Sequence, residues 1–87
     1  MFKATLKIKD LHADEAMSTY VGEGETIFDA LSNIPRKWNE IRTKGVIGVT
    51  DGTRKAEKLF YLKHLRMLFA NHLRRKGWAM QLEDLLK

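Results

Sequence analysis

The segment from Leu62 to Lys76, LKHLRMLFANHLRRK, constrains the fold most, because a helical period runs through it without interruption. The positions on one side recur every three or four residues, and they are Leu62, Leu65, Leu68, Phe69, His72 and Leu73. The opposite side is polar and mostly basic, and it holds Lys63, Arg66, Asn71, Arg74 and Arg75. We therefore predict one central helix that buries its leucines and presents cations outward. Gly77 follows three basic residues that suit the negative end of a helix, so we expect the helix to end there.

Four shorter segments have the alternation or the β-branched content that is typical of strands. Residues 2–9 alternate strictly between apolar and polar side chains, and residues 16–21 resume a strand pattern after a polar turn. Residues 44–50 and 56–61 form a second pair, separated by the strong turn signal Asp51-Gly52. The sequence thus predicts two antiparallel hairpins.

A short helix is expected between the hairpins, and another at the end of the chain. Thr26 can cap the first one, Asp29 suits its positive end, and Pro35 disfavours helical backbone at Ile34. A terminal helix is predicted from Trp78 onward. The element order ββαββα plus a C-terminal helix indicates a single α+β domain over residues 1–87, with a two-layer architecture. We expect an antiparallel four-stranded sheet with the helices on one face.

Composition narrows the classes of function. The chain has no cysteine, which excludes disulfides, thiolate catalysis and the usual structural zinc sites. No apolar run approaches the length of a membrane span, and the first residues lead straight into a strand pattern, so we expect a cytoplasmic protein with no membrane partner.

Catalytic motifs are missing as well. His64 and His72 would lie about 12 Å apart along one helix, too far to share a metal ion. The sequence has neither a phosphate-binding glycine motif nor a GxSxG motif. We expect no enzyme activity, no cofactor and no metal site.

Positive charge is concentrated in the middle of the chain. The net charge is +5, and residues 35–76 hold twelve Lys and Arg against three acidic residues. Such a concentration favours an acidic or polyanionic partner, although a solvated face that maintains solubility would carry the same charges.

Two groups of residues could form a binding surface together. Arg36, Lys37, Arg42 and Lys44 surround Trp38, and Lys63, Arg66 and Arg74 are expected on a neighbouring helical face. Trp38 either fills the core or stacks on the bases of a single-stranded nucleic acid held by these cations.

Met67 lies among the cations of the central helix and gives an adaptable apolar spot, which suits docking against an acidic protein surface. At the end of the chain an apolar stripe has two interpretations, namely packing against its own sheet or pairing with a second copy. Its members are Trp78, Leu82, Leu85 and Leu86.

The succession of GEGETIFDALSNI, KGVIGVTDG and LRMLFANHLRRK resembles small bacteriophage-encoded α+β proteins of no assigned function. The resemblance implies a viral setting, with the protein in the host cytoplasm or in the virion, and it assigns no functional residue.

From these observations we expect a small non-catalytic binding or assembly protein. It would dock a macromolecular partner through the basic helix face. The alternative is an RNA- or DNA-binding protein that uses the same face with Trp38 stacking on bases.

Overall fold

Two antiparallel hairpins lie side by side and form one four-stranded sheet. The computed structural model describes residues 1–9, 17–35 and 44–86. Its strands are β1 (Phe2–Lys9), β2 (Met17–Gly24), β3 (Lys44–Thr50) and β4 (Lys55–Tyr61), and its helices are α1 (Ile27–Ser32), α2 (Leu62–Ala70) and α3 (His72–Leu86). The strand order is β2-β1-β3-β4 with every neighbouring pair antiparallel, which confirms the predicted α+β sheet.

Strand alternation decides which face of the sheet becomes the core. Leu6 lies opposite Tyr20 on β2 and opposite Ile47 on β3, so these positions share one face. All three helices contribute buried side chains to the same cluster as this face, among them Leu31, Leu65 and Leu82. Each buried leucine or isoleucine contributes about 1.5–3 kcal/mol relative to an exposed one. The result is the predicted two-layer arrangement, in which no helix of the described residues covers the opposite face of the sheet, here called the open face.

The turn between β3 and β4 is fixed by one carboxylate. Asp51 Oδ1 accepts hydrogen bonds from the backbone N–H groups of Thr53 (2.9 Å) and Arg54 (2.8 Å), and Oδ2 pairs with the Arg54 guanidinium at 2.8 Å. These bonds, led by the one from the Arg54 backbone, hold the pKa of Asp51 well below its usual value. Gly52 supplies the positive φ of 99° that the turn requires. The turn predicted at Asp51-Gly52 is confirmed.

Helix α1 is capped as predicted and packs very closely against β2. Thr26 Oγ1 accepts a hydrogen bond from the Asp29 N–H at 3.0 Å, which satisfies one of the free donors of the first turn. A side chain at Gly22 would have its Cβ 2.6 Å from the Ile34 nitrogen and closer still to the Ala30 carbonyl oxygen. Only glycine therefore allows α1 to lie this near the strand.

The predicted central helix from Leu62 to Lys76 is wrong, because the chain breaks at Asn71. Asn71 makes the last helical hydrogen bond of α2, from its N–H to the Met67 carbonyl at 2.8 Å. Its extended backbone angles, φ −120° and ψ 109°, then end the helix. Its side-chain Oδ1 accepts from the Arg74 N–H at 3.1 Å, and its carbonyl accepts from the Arg75 N–H at 3.0 Å. A single residue thus ends α2 and caps α3.

The break changes the position of every residue that follows it. The predicted C-terminal helix is confirmed, but it begins at His72 rather than at Trp78, and Gly77 lies inside it rather than at a helix end. Leu73, expected in the core, is 78% exposed, and His72 is exposed as well. Arg74, Arg75 and Lys76 lie at the positive end of α3, whereas the sequence pattern placed them at the negative end of a longer helix.

Candidate binding surface

Helix α2 presents the outward face that the sequence predicts. Lys63 and Arg66 are exposed, whereas Leu65, Leu68 and Phe69 are buried in the core. Met67 is half-buried and Ala70 is exposed, so an apolar spot does lie beside the two cations. The period of three to four residues placed these side chains correctly because α2 itself is regular.

Helix α3 begins with a concentration of positive charge. His72, Arg74 and Lys76 are exposed and Arg75 is half-buried, and the described first turn holds no acidic residue. The N-terminus of a helix already carries about half a positive charge from its aligned peptide dipoles. Cations at this end are electrostatically unfavourable in the isolated protein, and an anion bound there would relieve the repulsion.

Arg75 is held against α1 by an aromatic ring. Its guanidinium carbon lies 5.3 Å from the centroid of the Phe28 ring, and the His72 ring meets the same phenyl group edge-on at 5.0 Å. The Nε and Nη1 atoms of Arg75 are buried and have no hydrogen-bond partner among the residues that the structure describes. Unsatisfied buried donors of a guanidinium are costly, and this group adds its positive charge to the start of α3.

Lysines on the open face of the sheet differ from these cations, because a carboxylate of the same chain lies among them. Lys55 Nζ pairs with Glu57 Oε1 at 2.8 Å, and the hydrogen bond from Lys55 lowers the pKa of Glu57. Lys7 adds to that lowering through its charge. The charge of the open face is thus partly neutralised, whereas the described first turn of α3 contains no acidic residue.

The described members of the predicted binding set lie on more than one element. Lys63, Arg66 and Met67 lie on α2 and Arg74 lies on α3, so the predicted set spans two helices in contact rather than one helical face. The backbone of Lys44 pairs with Tyr61, which directly precedes α2. The remaining predicted members lie outside the described residues, and they are Arg36, Lys37, Trp38 and Arg42.

We use the name junction surface for Lys63, Arg66, Met67, Arg74 and Arg75. Arg75 is the member that the prediction of a binding set missed, because its contact with Phe28 joins residues far apart in sequence. Asn71 did carry a sequence signal, since asparagine is among the preferred residues at a helix N-cap. That signal was outweighed by the uninterrupted apolar period around it.

His64 has structural contacts with Tyr61 and Trp78. His64 Nδ1 accepts a hydrogen bond from the Tyr61 N–H at 3.3 Å, and its ring lies 6.1 Å from that of Trp78. Trp78 also meets Phe60, with ring centroids 5.0 Å apart. Within residues 1–9, 17–35 and 44–86, no three metal-ligating side chains come close enough to hold an ion.

The apolar stripe predicted at the end of the chain packs mostly inward. Leu82 and Leu86 are buried in the core and Trp78 is half-buried against it, whereas Leu85 is 56% exposed. The first of the two interpretations of this stripe, packing within its own chain, therefore accounts for three of its four residues.

None of the helices in the described part of the chain combines the length and the hydropathy that a bilayer span requires. The comparisons with family models, with curated proteins and with solved structures returned no match to this chain.

Proposed function

We propose that this is a small non-catalytic binding protein that docks an acidic macromolecular partner through the junction surface. The observation that carries the proposal is the start of α3, where Arg74 and Arg75 add positive charge to the positive end of a helix. An anionic partner would remove the repulsion within this turn. Binding would therefore lower the electrostatic free energy of the cations at the start of α3.

An acidic protein surface is the partner that the junction surface fits best. Met67 is half-buried and Ala70 is exposed beside Lys63 and Arg66. Protein interfaces combine an apolar centre with a polar rim, and methionine adapts its shape to a partner. A nucleic acid backbone would leave this apolar spot unused.

Nucleic acid is the second candidate, and the geometry of α3 favours it. Phosphate oxygens bind well at helix N-termini, where backbone N–H groups and the dipole both point toward the anion. The predicted cations Arg36, Lys37, Arg42 and Lys44 would extend the track, with Trp38 stacking on a base. Their part in either function stays a prediction from the sequence.

The proposed setting is a bacteriophage assembly or the cytoplasm of its host. This part of the proposal rests on the resemblance of the sequence to small phage-encoded proteins. Docking to a particle component and binding to a viral nucleic acid are both compatible with such a setting.

Binding to a fluorescent oligothymidine at increasing salt concentration separates the two candidates. Nucleic-acid binding predicts affinity that falls steeply with salt, because each neutralised phosphate releases counterions. Docking to an acidic protein predicts no measurable affinity for the oligonucleotide. Saturable binding to polyglutamate would instead show that the cations accept carboxylates.

A charge-reversed pair of variants tests the surface itself. Lys63→Glu with Arg74→Glu should abolish binding of whichever probe the wild type accepts. Lys3→Glu with Lys7→Glu makes the same change in net charge on the open face of the sheet and should retain most of the affinity. Equal losses in both double variants would mean that net charge rather than the junction surface drives binding, and would overturn the proposal.

A further inference from the structure

The outward side of α3 carries a stripe whose two large apolar side chains are exposed in the described part of the chain. Leu73, Gly77, Met80 and Asp84 follow one another at four-, three- and four-residue steps, so they lie along one line of the helix. Leu73 is 78% exposed and Met80 is 66% exposed, whereas the opposite side of α3 packs into the core. Two large apolar side chains therefore face outward, with a glycine between them.

Gly77 leaves a gap between these two side chains. A Cβ built on Gly77 would meet no atom of the described residues within 4 Å, so packing against that part of the chain does not require a glycine here. Glycine inside a helix costs about 0.5–1 kcal/mol relative to alanine. A close approach by another helix would give this costly residue a role.

Charge along α3 is polarised from one end to the other. Arg74 and Lys76 lie in its first turns, and Glu83 and Asp84 lie near its C-terminus. At each end these side chains have the same sign of charge as the helix dipole. The dipole itself favours the reverse, with acidic residues at the start and basic residues at the end. A second α3 that runs antiparallel would place each acidic end beside a basic one.

We infer that α3 pairs antiparallel with α3 of a second copy through Leu73, Gly77 and Met80. In the register where Met80 packs over Gly77 of the other copy, Lys76 comes beside Glu83 of that copy on the same flank. The twofold axis repeats both contacts, so the surface is complementary to itself, as an isologous dimer requires. A second copy fits better than an unrelated protein, because the two halves of α3 carry opposite charges and attract each other when two copies pair antiparallel.

The contact area sets the strength of this dimer. A helix of 15 residues is about 22 Å long, and one helix pair of that length buries less than the ~800 Å² per partner of a standard stable interface. The dimer should therefore dissociate on dilution. This inference is independent of the proposed function, because it uses Leu73, Lys76, Gly77, Met80 and Glu83 rather than the junction surface.

Sedimentation over a wide concentration range tests the inference on the full chain. The wild type should shift from monomer to dimer as its concentration rises, and Met80→Glu should remain monomeric with an unchanged fold. Leu59→Glu alters an exposed apolar side chain, 48% accessible, that alternates on β4 with the buried Phe60 and so lies on the open face of the sheet. This variant should dimerise like the wild type. A wild type that stays monomeric at the highest soluble concentration would overturn the inference.

Gly77→Ala separates self-association from stability. The added methyl group has room in the monomer, so the free energy of unfolding at low concentration should be unchanged or higher. In the dimer the same methyl group would meet Met80 of the other copy, and the dissociation constant should rise at least tenfold. An unchanged dissociation constant would place the interface elsewhere.

A charge exchange gives the most specific test. Lys76→Glu and Glu83→Lys should each weaken the dimer, and an equimolar mixture of the two variants should form a heterodimer, because every contact then joins opposite charges. The chain that carries both substitutions should recover self-association. Neither result follows from the junction surface, so Lys63→Glu should dimerise normally even if it loses partner binding.

Discussion

Helices α1 and α3 begin with the same hydrogen bond but with opposite charge. Thr26 Oγ1 accepts from the Asp29 N–H at 3.0 Å, and Asn71 Oδ1 accepts from the Arg74 N–H at 3.1 Å. In both helices the third residue donates to the cap, but this residue is acidic in α1 and basic in α3. The comparison shows that a cap fixes local geometry alone. The charge beside it decides whether a helix end is satisfied within the chain or attracts an anion from outside.

The two helices also differ in the glycines that lie nearest to them, which are on β2 beside α1 and within α3 itself. Gly22 and Gly24 allow α1 to approach β2 so closely that added side chains would collide with its backbone. Gly77 on α3 faces open space. Helix α1 is thus a tightly fixed structural element, whereas the outward side of α3 is available for contacts with other molecules.

The largest difference in the free energy of unfolding should come from alanine at Gly22, beside α1, compared with alanine at Gly77, within α3. Gly22→Ala should destabilise the fold by about 3 kcal/mol or more, because the methyl group can be accommodated only by moving the α1 backbone. Gly77→Ala should stabilise the monomer by about 0.5–1 kcal/mol. Urea denaturation at low protein concentration measures both values. A tolerated alanine at position 22 would show that α1 can move away from β2 at little cost.

Removal of the two caps should have smaller and similar effects. Thr26→Ala and Asn71→Ala should each lower the free energy of unfolding by about 1 kcal/mol, since each leaves a donor of a first turn unpaired. Asn71→Asp keeps the acceptor and should retain wild-type stability or exceed it. Denaturation curves of the three variants test this, and a neutral Asn71→Ala would mean that packing alone separates α2 from α3.

Neutralising the charge beside each cap should change stability in opposite directions. Asp29→Asn should lower the free energy of unfolding and Arg74→Gln should raise it, each by about 0.3–1 kcal/mol at low ionic strength. Added salt should reduce both changes, because these side chains are exposed. If Arg74→Gln lost stability, the positive charge would have a structural role and the case for an anionic partner would weaken.

Multivalent anions should bind the positive charge at the start of α3, and this should give the smallest change in stability among these predictions. Sulfate should raise the Tm of the wild type more than that of Arg74→Gln, by a few tenths of a kcal/mol or about 1 to 2 °C. Asp29→Asn serves as the control and should gain as much as the wild type. The comparison removes the general stabilisation by sulfate, which acts on all three proteins. Equal gains in all three would mean that Arg74 contributes no anion site.

Most of the sheet layer was predictable from local patterns. The alternation in residues 2–9 placed Ala4, Leu6 and Ile8 correctly in the core, and the cap at Thr26 was read from residue type alone. These features depend on neighbours in the sequence, so a short window contains the necessary information. The hairpins and the fold class followed from them.

The helix layer was predicted less well, because its geometry depends on tertiary packing. The apolar period through residues 62–76 is uninterrupted, and it says nothing of a change in helix direction at Asn71. Lys63 and Arg66 were placed correctly on α2, whereas Arg74 was assigned to the wrong helix. The contact between Arg75 and Phe28 depends on the packing of α3 against α1, which no local pattern encodes.

The position of β1 inside the sheet has a consequence for folding. β1 pairs with β2 through a short connection, but its other neighbour, β3, lies much further along the chain. During synthesis the first hairpin would therefore expose one edge of β1, together with its apolar side chains, until residues 44–50 emerge. Closing that long connection should limit the folding rate, and the half-finished sheet is the species most prone to aggregation.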